Sequence, residues 1–223
     1  MAYNFDTIAR DYDRMNHLMT LGLDKLWRKR AVRGLHGHVL DVACGTGDMV
    51  VELLKREADV TGADLSQEML AIAKQKAPSV TYMVADAEHL PFGDASFDAV
   101  TCAFGVRNFV HLEQGLKEML RVLKPGGRMV ILELATPDSP IIRPFYNLYT
   151  RRIIPWLGQR LAGSREAYTY LPQSIERFPK GGDFLRIVER LGAQGVERRF
   201  TFGVCRMYVI NKEAAIDRQP LCY

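Results

Sequence analysis

The decapeptide VLDVACGTGD, residues 39–48, limits more than any other stretch what this chain can fold into. Its apolar start ending in Asp41 reads as a strand running into a core. Gly45 and Gly47 then turn the chain directly into TGDMVVELLKRE, whose apolar positions recur at helical spacing. Glycines at such a junction allow backbone to pass closely under a ligand. In open parallel sheets, ligands bind at the carboxyl ends of the strands where the strand order reverses.

The same unit recurs. ADVTGAD (58–64), SVTYMVA (79–85), SFDAVTCA (96–103) and GRMVILEL (127–134) read as further strands. SQEMLAIAKQKA (66–77), with Ser66 as N-cap, and HLEQGLKEMLRVL (111–123) read as helices, and KPGG (124–127) as the turn into the last of these strands. Near-continuous apolar strands alternating with amphipathic helices predict an α/β fold, a mostly parallel sheet covered on both faces. Two helices, FDTIARDYDRM and MTLGLDKLWRKRAV, precede it. After it come a helix, GDFLRIVERLG, and two strand-like runs, GVERRFTF and CRMYVIN, that meet near Gly203 and predict a closing hairpin at the sheet edge.

A chain of 223 residues suits one domain. Its parts are an N-terminal helical cap (1–35), a ligand-binding core (36–135), an insertion (136–179), a C-terminal helix and hairpin (180–212) and a tail (213–223), whose last ten residues are expected to be loose. The insertion breaks the strand–helix rhythm with two aromatic-rich helical stretches and GSREAYTYLPQS (163–174), read as a loop. From Ser139 to Lys180 seven basic residues face two acids, so the window carries +5 in a chain whose net charge is +4. Such a surface is either an ordinary solvated face or one that attracts anionic lipid. No apolar run approaches the ~20 residues of a membrane span, and the N-terminus lacks an apolar signal core, so a cytoplasmic protein is expected. The four cysteines form no CxxC pair, which favours buried reduced thiols. His17, His36, His38, His89 and His111 show no metal-ligand spacing, so no metal is expected, and His36 and His38 are placed in a solvated loop.

A dinucleotide fingerprint GxGxxG needs glycine at position 50, which is Val50. Asp41, four positions before the first glycine, suits a cationic ligand end better than a pyrophosphate. Both residues argue against an NAD-dependent oxidoreductase. Asp64 ends the second strand about 20 residues past the glycines, where an acid accepts hydrogen bonds from ribose hydroxyls. Asp86, in VADAEHLPF after the third strand, is placed to meet the exocyclic amine of an adenine.

DVACGTGD, GADLS, VADAEHLPF, SFDAVTCAFGVRNF and RVLKPGGRMVILE resemble class I S-adenosylmethionine (SAM) methyltransferases. FGVRN, YTYLPQSIERFP and TFGV…VINK narrow the resemblance to the UbiE/MenG family, from about Tyr3 to Lys212. The resemblance implies a Rossmann-like, seven-stranded sheet with helices on both faces and a helical lid at 136–179. It implies SAM as methyl donor, contacted by Thr46, Asp64, Asp86 and Ala87, with Asp41, Gly45, Gly47, Leu65 and Ala103 in the same site. Ala103 stands where the family often has serine, and the chain ends in YVINK plus a tail where the family often ends in a GYK-like strand. The implied reaction is C-methylation of demethylmenaquinol in menaquinone synthesis; a polyprenyl benzoquinol, or another lipid or small molecule, is the alternative, and a SAM-binding scaffold with little turnover a third reading. Arg107 would stabilise the quinol oxyanion and Asn108 orient it; for Arg107 a buried structural ion pair is the competing assignment. The proton acceptor is left open among water, His111 and a tyrosine, Tyr170 included. Tyr146, Tyr149, Trp156, Tyr168 and Tyr170 suit a prenyl-bearing ring and a membrane boundary. Expected partners are a polyprenyl naphthoquinol and, peripherally, the anionic inner leaflet, with a homodimer left open and nucleic acid excluded for want of a recognition module.

Overall fold

The computed structural model describes residues 9–161 and 165–213. Its sheet has seven strands: β1 (His38–Val42), β2 (Asp59–Asp64), β3 (Thr81–Val84), β4 (Phe97–Ala103), β5 (Leu123–Leu134), β6 (Ala193–Phe200) and β7 (Cys205–Lys212). Their order is β3-β2-β1-β4-β5-β7-β6. β1 to β5 are parallel, and β7 runs antiparallel to both β5 and β6, which is the expected closing hairpin. The helices are α1 (Ala9–Met19), α2 (Leu23–Ala31), α3 (Asp48–Leu54), α4 (Gln67–Lys76), α5 (Leu112–Val122), α6 (Ile142–Leu148), α7 (Ile154–Leu161), α8 (Arg165–Arg177) and α9 (Gly182–Arg190). A π-helical turn, Tyr149–Ile153, joins α6 to α7.

Side chains alternate across a strand, so each central strand feeds two cores. Leu40, Val100 and Ile131 pack with Leu116 and Met119 of α5 and Phe184 and Val188 of α9. Their neighbours Val39, Ala99 and Val130 pack on the other face with Trp27 of α2 and Val50 and Leu53 of α3. This double coverage explains the continuous apolar strands.

Four expectations are corrected. α2 begins at Leu23 rather than Met19, because Gly22 takes φ 75° and Thr20 Oγ1 caps the end of α1 on Asn16 O at 2.9 Å. KPGG is not a free turn: Leu123 already pairs with Phe97, and the four residues bulge before Arg128 pairs with Ala99. His38 opens β1 instead of lying in a loop, its Nε2 3.1 Å from Thr61 Oγ1, whereas His36 is exposed as expected. GSREAYTYLPQS is helical from Arg165 despite Pro172. Burial of Ile175 and Phe178 one and two turns on outweighs the amide that proline lacks. The tail beyond Glu213 and the side chain of Tyr168 lie outside the described residues. Among the described residues, no helix is long and apolar enough to cross a membrane.

Candidate active site

The sheet order reverses between β1 and β4, and a cavity of about 610 Å³ opens outside their carboxyl ends, within the usual size of small-ligand sites. Gly45, Asp64, Leu65, Asp86, Ala87 and Ala103 all line it. Asp64 holds the glycine turn in place: its Oδ2 accepts from Gly45 N at 2.8 Å and its Oδ1 from Ser66 N at 2.9 Å. Asp86 Oδ1 accepts from Glu88 N at 2.9 Å. Gly45 has φ 53°, and a Cβ built there meets nothing within 4 Å, so the backbone borders open cavity.

Three expected residues sit behind this lining. Gly47, at φ 84°, starts α3, and a Cβ there would lie 3.0 Å from Ala73 Cβ, so its service is close packing of α3 against α4. Thr46 is buried with its hydroxyl turned to Asp13 of α1 and Lys76 of α4. Asp41 is 1% exposed. Thr101 Oγ1 donates to its Oδ1 at 2.6 Å, and its Oδ2 has no hydrogen-bond partner. Burial pushes this carboxyl up to about 7, in spite of the threonine hydroxyl. An orphaned acid oxygen two residues from the cavity-lining Ala43 fits a cationic ligand. Asp41, the open space at Gly45 and the lining acids Asp64 and Asp86 together match what SAM presents.

A second, apolar cavity of about 230 Å³ adjoins the first. Leu23 and Trp27 of α2, Leu134 of β5, Tyr146 and Tyr149 from the lid region, and Leu171 and Ile175 of α8 border it. Tyr12 and Phe104 border both cavities and so form their common wall. Arg107 lines the second cavity and its neighbour Asn108 the first. Arg107 Nη1 pairs with Glu133 Oε1 at 2.7 Å and also donates to Phe104 O, while its buried Nε has no partner. Burial opposes its charge more than any one neighbour favours it, but Glu133, Tyr12 and Tyr170 together raise its pKa. Arg107 is therefore in a buried ion pair and at a cavity wall at once. Tyr170 OH donates to Asn108 Oδ1 at 3.2 Å. His111 lines the first cavity, where it is largely exposed, and Glu88 accepts from its backbone N and meets its Nδ1, both at 2.8 Å. Burial alone would raise the Glu88 carboxyl, yet these bonds hold it below the usual range.

Two non-glycine residues of the site take left-handed backbone, Ala43 (φ 51°) after β1 and Phe104 (φ 61°) after β4, the kind of strain that collects at functional sites. Gly105 follows because a Cβ there would come within 2.7 Å of Ala43 Cβ. Sequence reasoning missed Tyr12, Phe104, Glu88 and Glu133. Only Glu133 left a signal, a lone carboxylate at the end of the apolar run MVILEL. His17, Asp24 and Asp48 converge to within metal-ligand distances. Their carboxylates are already compensated by cations, Arg28 Nη1 at 2.5 Å from Asp24 and Lys76 Nζ at 2.7 Å from Asp48, so the cluster ties α1 to the core as a salt-bridge network.

A doubly wound sheet with an acid-lined cavity at its switch point and an orphaned carboxylate behind it defines a class I SAM-dependent methyltransferase. The fold is shared with the SAM-dependent methyltransferase of Thermotoga maritima (TM-score 0.67, 20% identity, 94% of this chain and 98% of that one). It is shared too with one from Aquifex aeolicus (TM-score 0.63, 17% identity, 89% and 97%). The model of the ubiE/COQ5 methyltransferase family matches residues 2–212, and the chain belongs to that family. Relatives include the demethylmenaquinone methyltransferases of Bacteroides fragilis (40% identical, covering 93% of this chain and 90% of the relative) and Deinococcus radiodurans (42%, with 93% and 90%). The ubiquinone/menaquinone biosynthesis C-methyltransferase UbiE of Bartonella tribocorum is 42% identical, covering 87% and 81%.

Proposed function

We propose that the chain methylates a ring carbon of a polyprenyl quinol, with demethylmenaquinol as acceptor in menaquinone synthesis. The observation that carries this reading is the common wall of Tyr12 and Phe104, which sets an apolar cavity directly against the donor cavity. Asp64 and Asp86 would hold the ribose hydroxyls and adenine amine, and Asp41 would balance the cationic end. Bound SAM supplies a methyl carbon already activated by its sulfonium, so the reading calls for no metal. A quinol carbon becomes nucleophilic as its hydroxyl loses a proton, and a fixed positive group next to that oxygen stabilises the anion that forms. Arg107 supports this role because it lines the acceptor cavity and its buried Nε is left with no partner. Held by Glu133, it is oriented before substrate arrives. Asn108, itself bonded to Tyr170, lines the donor cavity next to Arg107 and would orient the oxygen or a water that takes its proton. Arginine is too weak an acid to serve as the proton acceptor in its neutral form. Alignment of acceptor and methyl carbon across the common wall can lower the barrier by about 7–11 kcal/mol. The enzyme would work in the cytoplasm, where SAM is made, against the inner face of the membrane.

A benzoquinol acceptor is the second reading, favoured by relatives of equal similarity whose name covers both quinones. Incubation with methyl-labelled SAM and each prenylated quinol decides between them. Label in the ring of the naphthoquinol first supports the proposal, and label in neither ring overturns it.

A further inference from the structure

The lid helices have two apolar faces, and only one of them is used. Tyr146, Tyr149, Thr150 and Ile154 turn inward and border the second cavity. Ile141, Phe145, Leu148 and Trp156 point outward from the same run at 77, 73, 51 and 56% exposure. Their spacing, with the π-helical turn between, keeps them along one side of the α6–α7 rod. Two further segments that border the cavity also expose large apolar side chains. Leu21, itself a cavity-lining residue, is 78% exposed, and Phe202, next to the lining Thr201, is 76% exposed. Large exposed apolar side chains thus stand on the same segments that border the second cavity, where isolated ones would be unremarked.

Charge identifies what covers them. Residues 139–161 contain four arginines (Arg143, Arg151, Arg152, Arg160) and no acid, and of the four Arg151 is paired with Glu176 of α8 at 2.5 Å. The Arg160 guanidinium lies 5.4 Å from the Trp156 ring centre, at the edge of the stripe. A helix carrying Trp, Phe and Leu on one side and arginines beside them matches the pattern that lies in the plane of a lipid headgroup layer. A second copy of the chain fits poorly. A two-fold contact would set this face against itself and bring like charges together.

We propose that this face docks on an anionic lipid bilayer, so that the second cavity opens toward the leaflet and takes its acceptor from there. The inference deepens the quinol reading and rests on it for the identity of what enters. The docking itself is measured without any quinol. The two tryptophans make the test direct, because Trp27 is 2% exposed and Trp156 56%. The full chain is mixed with vesicles of phosphatidylcholine alone, or of phosphatidylcholine with phosphatidylglycerol, each carrying a brominated acyl chain that quenches indole. Expected are quenching and co-sedimentation with the phosphatidylglycerol vesicles, both weakened by salt. Arg152→Ser lowers vesicle affinity about fivefold. Ile141→Ser/Phe145→Ser lowers it about tenfold or more, while melting temperature and SAM affinity stay as in the parent chain.

Equal binding to neutral vesicles, binding to neither, or undiminished binding by the serine variants would overturn the docking. So would burial of Trp156 by self-association without lipid. Failure of the quinol reading shows elsewhere, as absence of labelled ring product with acceptor presented in detergent.

Discussion

Asp41→Asn separates the electrostatic role of this acid from its packing, because the amide has the same shape and still accepts from Thr101 through Oδ1. In the free protein burial pushes the Asp41 carboxyl from the ordinary 3.8 up to about 7, a difference worth roughly 4 kcal/mol. Its folded value lies above its unfolded one, so the stability of the neutral form is full below about pH 4 and is lost as pH rises to about 7. Asp41→Asn should therefore unfold at higher urea than the parent at pH 8, by up to that amount, with the gap closing toward pH 4. Ligand affinity should move the other way. A cationic donor needs the ionised acid, so below about pH 7 binding releases a proton, and affinity falls by up to about tenfold per pH unit. The amide abolishes this slope and weakens SAM binding at pH 8 by roughly 10- to 100-fold, the usual worth of a hydrogen bond to a charged group. Titration calorimetry over this pH range, in buffers of different ionisation enthalpy, reads both affinity and proton release. Any slope that persists in Asp41→Asn belongs to the amine of SAM. Identical slopes and affinities for the two proteins would refute the assignment of Asp41 to the donor site.

Arg107→Ala should abolish most methyl transfer and leave SAM affinity nearly unchanged, while stranding buried Glu133 without its cation and destabilising the fold by about 3–5 kcal/mol. Adding Glu133→Gln should restore most of that stability but not the activity; recovered turnover in the double variant would assign Arg107 to structure alone. Gly105→Ala places a Cβ 2.7 Å from Ala43 Cβ and 2.8 Å from Cys102 Sγ, an overpacking of about 1–3 kcal/mol visible in the urea midpoint. Ile175→Trp fills part of the 230 Å³ second cavity and should raise KM for a prenylated acceptor about tenfold, equivalent to 1.4 kcal/mol, with SAM affinity unaltered. An unchanged KM would move the acceptor elsewhere.

The residues that could be read from the sequence are those whose task is local. Gly45, Asp64 and Asp86 are each placed by the end of one strand, and period and turn chemistry locate strand ends well. Ser66 caps α4 on Met69 N at 3.1 Å for the same reason. What escaped was set by partners distant in sequence. Thr46 faces α1 and α4 through Asp13 and Lys76, 33 and 30 residues away, and no spacing rule links those positions. Tyr12 reaches the common wall only because α1 folds back over the carboxyl edge of the sheet. The mistaken loop at 163–174 has the same origin, since Pro172 speaks locally against a helix that burial of Ile175 and Phe178 secures. Arg107 shows both limits at once. Its place after β4 was legible and a buried ion pair was among its readings, but the partner was not, because Glu133 lies 26 residues on, at the end of the adjacent strand. That pairing alters what the arginine can do. A free guanidinium would carry a full charge to the substrate and demand an anion even in the empty site. One already held by a carboxylate offers an oriented donor with little net field; on the proposed reading it would admit a neutral quinol and bind more strongly only as charge develops on its oxygen.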